Sequence, residues 1–129
     1  MESKPSHPSY PANWGVRFLC DCKKEGEAIN LHNGVAQEIS THGVRILSDH
    51  QICQKKKVAM HLMIPSRLNN APMKVVKIIG HSIEAILKDG KYLSEIEFMH
   101  FEENGLKILE RNLNMFFGPH DYPQIAQNA

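Results

Sequence analysis

The residues best placed to do chemistry fall in one short run, Glu38-Ile39-Ser40-Thr41-His42-Gly43-Val44-Arg45. A carboxylate, a hydroxyl, an imidazole, a glycine and a guanidinium come together within eight positions. Ser40 and His42 have the side-chain types of a nucleophile and a base. Nucleophilic catalysis also needs an orienting partner for the base and donors for an oxyanion, and no such set accompanies them. The run suits binding better than catalysis. Arg45 is the best-placed cation for an anion held at the turn.

Metal chemistry has little to draw on. Cys20, Cys22 and Cys53 are the three cysteines of the chain, beside eight histidines. Cys20 and Cys22 share one face of an extended segment, and no Cys-x-x-Cys knuckle is present, so no metal site is expected. An odd cysteine count argues against a disulfide framework and for a reducing compartment, the cytoplasm.

Two strands must hold the run. Val35, Gln37 and Ile39 alternate before it and Val44 and Ile46 after it, a period of two. Ser-Thr-His-Gly is then a tight turn, closed by Ser40 on neighbouring backbone, with a left-handed position expected at Gly43. A first strand is read at Val16–Cys22 and a second from about Ala28 to Ile39, kinked at Asn33-Gly34. A third follows Gly43, and a fourth covers Val58–Ile64 and stops at Pro65. Met73–Leu87 is one bent strand or two meeting at Gly80. Lys88-Asp89-Gly90-Lys91 is the strongest turn signal, and Tyr92–Phe101 is the last strand. Leu106, Leu109, Leu113 and Phe116 or Phe117 then recur at helical spacing, which predicts a helix over Glu102–Phe117 with acidic residues in its first turn and Arg111 late. Gly118-Pro119 ends it.

Six strands and one helix make a mainly β architecture, a six-stranded antiparallel barrel with a C-terminal helix over one opening. Pro5, Pro8 and Pro11 mark residues 1–13 as a flexible tail that Trp14 anchors. Residues 14–117 form the barrel and helix, and residues 118–129 a frayed end. In 129 residues, 42% are hydrophobic and 22% charged, as in ordinary single domains. Fifteen Lys and Arg balance fourteen Asp and Glu, for a net charge of +1. That balance, with 7% aromatics, counts against a DNA- or RNA-binding barrel. No apolar run approaches the ~18 residues of a membrane span.

Glu38-x-Ser40-x-x-Gly43 in a strand-to-strand turn resembles the second signature of the PilZ family, with Glu where that family has Asp or Asn. The order of strands, the proline after the fourth strand and the phenylalanines leading into the helix resemble the same plan over residues 14 to 117. The resemblance implies a non-catalytic regulatory barrel of bacterial signalling, with cyclic di-GMP as ligand class and no other cofactor. Its ligand site would be Glu38, Ser40, His42, Gly43 and Arg45. The family's Arg-x-x-x-Arg segment before the first strand has no counterpart, since only Lys4 carries positive charge ahead of Trp14. Lysine lacks the planar fork that grips a phosphate from two sides. Losing one such contact removes about 1.5–3 kcal/mol. The alternative implied by that lack is a protein-binding adaptor, as in type IV pilus or motility control, using a barrel face or Phe116 and Phe117. Lys55–Lys57 is read as a solvated connection or a phosphate-facing patch.

Overall fold

The computed structural model of the chain describes residues 9–20, 31–52, 54–66 and 71–118. Its strands are β1 (Trp14–Cys20), β2 (His32–Ile39), β3 (Gly43–Ser48), β4 (Lys57–Ile64), β5 (Lys74–Lys88) and β6 (Lys91–Phe101), followed by helix α1 (Gly105–Phe117). All neighbours are antiparallel, and the sheet closes in the order β1-β2-β3-β6-β5-β4. The expected mainly β barrel with a C-terminal helix is the observed fold.

Closure follows from the alternation. Trp14, Val16 and Phe18 of β1, Val44 and Ile46 of β3, and Val58, Met60, Leu62 and Ile64 of β4 point inward and are buried. A period-two sheet with one apolar face must cover that face, and a barrel covers it with itself, each strand pairing on both sides along most of its length. The helix covers an end. Leu109 and Leu113 are buried in the same cluster as the strand residues, whereas Leu106 is exposed, so the inward stripe is narrower than the leucine spacing suggests. The helix is anchored at its start by Gly105 beside Val76, and at its end by Phe116 and Phe117 against Trp14 and Tyr10.

Several local expectations shift. The helix begins at Gly105, so Glu102 and Glu103 precede it and its first turn has no acidic residue. Arg111 lies mid-helix rather than in the last turn. Gly118, with φ 76°, ends the helix and its N–H donates to Asn114 O at 2.7 Å. Asn33-Gly34 does not kink β2: both pair in register with Arg17 and Val16, and the irregularity lies between Ala36 and Glu38. β5 is one strand, shifted in register at Ile79/Gly80 and Ser82/Glu84. Asp89 and Gly90 (φ 52° and 82°) make the left-handed pair that a two-residue hairpin needs. Cys22 and Cys53 lie outside the described residues, as does most of the proposed tail. Within that tail segment, Tyr10 is buried and exchanges two backbone hydrogen bonds with Ile39, each 2.9 Å.

Gly80 sits where β4, β5 and β6 crowd together. A Cβ there would stand 2.5 Å from Ile96 Cγ2 and 2.9 Å from the carbonyl oxygen of Glu97. A Cβ at Gly15 meets only the flexible tip of Met63, at 3.2 Å. Gly80→Ala is expected to cost roughly 1–3 kcal/mol, with Gly15→Ala nearly neutral, as read from urea unfolding midpoints.

After β3, the chain is pinned by Ser48, whose Oγ donates to His50 O (2.9 Å) and accepts from His50 N (3.2 Å). This seats the ring of His50 flat on His32, with centroids 3.7 Å apart, beside Phe18. Burial, and then the neighbouring His32, hold the His50 pKa below its ordinary value. The unfolded chain therefore binds the proton more readily, and stability falls as pH drops through about 6.5. The loss of melting temperature between pH of about 7.5 and about 5.5 should be smaller in His50→Phe than in the native chain.

Candidate functional site

The turn between β2 and β3 is built by Ser40. Its Oγ accepts from the backbone N–H of His42 (3.0 Å) and of Gly43 (3.2 Å), while its own N–H donates to Gly43 O (2.9 Å). A hydroxyl in this position replaces backbone acceptors that the turn cannot supply. The ring of His42 turns to the neighbouring hydroxyl, with Nδ1 3.0 Å from Thr41 Oγ1. The backbone carbonyl of His42 accepts from Phe98 N at 2.8 Å, tying the turn to β6. Ser40 and His42 thus help to build the turn.

Gly43 is required for a different reason from the one its sequence context implies. It does not have a positive φ. A Cβ added there would lie 2.7 Å from the carbonyl oxygen of Ile96 on β6. The constraint is close approach of two strands, not left-handed backbone.

The irregularity in β2 sets the charges. Because the register slips between Ala36 and Glu38, Glu38 comes to stand directly opposite Arg45. Their side chains meet at 3.4 Å, both about half exposed at 48% and 49%. On its other side Arg45 is paired in register with Glu95 of β6. The lone arginine of the turn is therefore flanked across the sheet by a glutamate on each neighbouring strand.

All five residues singled out in the sequence, Glu38, Ser40, His42, Gly43 and Arg45, line one hollow of about 340 Å³ on the outside of the barrel. Ser9, Ile83, Glu95 and Glu97 complete much of its wall. The three glutamates outnumber the single guanidinium. Sequence reasoning missed Glu95 and Glu97, which are about 50 positions away from the motif. Their alternation with Ser94 and Ile96 on the last strand puts them on one face, but strand order alone brings that face to the motif turn. Arg17 lines a separate groove with Leu19 and His61, and none of Lys55, Lys56 and Lys57 lines the hollow. Among the described residues no group of three or more His, Cys, Asp or Glu is arranged to hold a metal ion.

Ser40→Ala is expected to destabilise the fold by about 1 kcal/mol, since two backbone donors lose their acceptor. Arg45→Ala should change stability by less than about 0.5 kcal/mol, because its ion pair is solvated. Chemical denaturation of the two variants separates the structural residue from the solvent-facing one.

No protein-family model matches the chain, and a search of curated proteins found no match. Among solved structures it is similar to the Bacillus subtilis inhibitor of motility MotI/DgrA, at 10% identity and a TM-score of 0.64. The match covers 88% of this chain and 53% of the other, so the chain spans about half the length of the solved protein. At that identity the likeness concerns the fold alone, a closed six-stranded antiparallel barrel with one C-terminal helix.

Proposed function

We propose that the protein is a non-catalytic regulatory module that acts by binding another protein, and that its outer hollow does not hold cyclic di-GMP tightly. The observation that carries this reading is the charge of the hollow. Glu38, Glu95 and Glu97 face a single guanidinium already engaged by Glu38. Cyclic di-GMP brings two phosphodiester charges. Two like charges about 4 Å apart repel by about 1 kcal/mol in bulk water and about 4 kcal/mol at the effective dielectric of a protein surface. Residues 1–13 contain no arginine to reverse that balance. Fold likeness to an inhibitor of motility supports a place in motility control.

A second reading draws on Ser9. It lines the hollow, and Tyr10 next to it is fastened to Ile39, so residues 9 and 10 run beside the motif turn. In that arrangement the N-terminal segment would close over a nucleotide stacked there, with Glu38, Ser40, His42, Gly43 and Arg45 beneath it.

Calorimetric titration with cyclic di-GMP at low salt separates the two. The first reading expects no saturable heat up to about 100 µM ligand, a free energy weaker than about −5.5 kcal/mol. Saturable binding at micromolar concentration, lost in Arg45→Ala, would overturn it in favour of the second.

A further inference from the structure

β5 outruns its neighbour. Its pairing with β4 ends at Lys57↔His81, and the backbones of Lys55 and Lys56 account for Ser82. From Ile83 to Lys88 the strand continues with β6 alone on one side. Among the described residues, no strand pairs its outer edge. This arm also exposes its apolar side chains: Ile83 is 44%, Ile86 53% and Leu87 67% accessible. An edge strand with open backbone groups and apolar side chains is a template for another strand.

The backbone of the arm sets how a strand would add. The two-residue turn at Asp89-Gly90 makes Lys88 and Lys91 a hydrogen-bonded pair. By the alternation of an antiparallel ladder, Ile86 and Glu84 also bond inward to β6, and Ala85 and Leu87 direct their N–H and C=O groups to the open edge. An added antiparallel strand therefore has to bond at Ala85 and Leu87.

The sequence of the arm meets that requirement with itself. When Ile83-Glu84-Ala85-Ile86-Leu87-Lys88 is laid antiparallel against a second copy with Ile86 on the two-fold axis, Ala85 stands opposite Leu87, twice, as the hydrogen-bonded pairs. Ile86 meets Ile86, in the closer, non-hydrogen-bonded position. Glu84 stands opposite Lys88, also twice, so both charges of the arm find an opposite charge. Opposite charges and apolar side chains facing across a ladder stabilise it, and like charges there oppose it. A register shifted by two residues, with Ala85 or Leu87 on the axis, leaves Glu84 and Lys88 without an opposite charge, and one shifted by four, with Glu84 on the axis, sets Glu84 against Glu84. The charge pattern thus selects one register, and it is symmetric, as an isologous dimer demands.

We infer that two copies of this chain dimerise through the outer edge of Ile83–Lys88, joining their β5–β6 arms into one continuous sheet about a two-fold axis at Ile86. The inference is independent of the proposed function. Sedimentation velocity of the full chain over a concentration series is expected to show a reversible monomer–dimer equilibrium. Ile86→Lys, which sets two ammonium groups together at the axis, should give monomer alone with an unchanged melting temperature. Glu84→Lys and Lys88→Glu should each weaken the dimer about tenfold, and the double exchange should restore it to within about threefold. A native chain that stays monomeric at the highest concentration would overturn the inference and leave the edge to a different protein or to another part of this chain. So would a dimer that survives Ile86→Lys, or single charge exchanges that the double exchange fails to rescue.

Discussion

The structure depends on how closely three strands meet at Ile96 and Glu97 of β6. Gly43 of β3 and Gly80 of β5 approach this pair from opposite sides, and at either position even a single methyl group would collide with it. Ile96 fills the barrel interior and is fully buried, while Glu97 emerges on the outside and lines the hollow. One pinch point thus fixes the curvature of the wall, the depth of the core beneath it and the carboxylate above it. Packing at close to crystal density leaves no slack for a Cβ there. The glycine of the motif and the glycine in the middle of the longest strand, far apart in sequence, answer the same steric demand.

Much of this was legible in the sequence because a barrel writes its inside and outside at alternate positions. β4 is the plainest case, with Val58, Met60, Leu62 and Ile64 all inward. The Asp89-Gly90 hairpin and the stop after Ile64 are also local signals, carried by residues whose backbone preferences are strong. What could not be read were facts of pairing. The slip at Gln37 that brings Glu38 to Arg45 depends on β3, and the role of Gly43 depends on β6. Helix onset at Gly105 was hidden because the left-handed turn at Glu103 interrupts a run of residues that all accept helical geometry. The site was half visible: its turn lies in one stretch, and Glu95 and Glu97 reach it only through strand order.

The charges of the hollow and the apolar arm belong to one construction. Glu84, Glu95, Arg45 and Glu38 follow one another in register across β5, β6, β3 and β2. This cross-strand row carries three carboxylates around one guanidinium. It begins at the open edge of β5 and ends at the strand before the motif turn. The row as a whole carries a net negative charge on the outside of the wall.

The meeting of Phe117 with Tyr10 has a consequence for how the molecule is made. Their rings stack with centroids 4.9 Å apart, and Phe116 and Phe117 also contact Trp14. Residues from the start of the chain therefore find their final neighbours only when residues more than 100 positions later have been synthesised. β1 likewise closes the barrel against β4 rather than a neighbour made just before it. Such long-range contacts make folding slow relative to helical domains of the same size. On the ribosome, the first strands would wait with Val16 and Phe18 exposed until α1 leaves the exit tunnel. The barrel therefore cannot close before β4 and α1 have emerged, and the apolar residues of β1 are vulnerable over that interval.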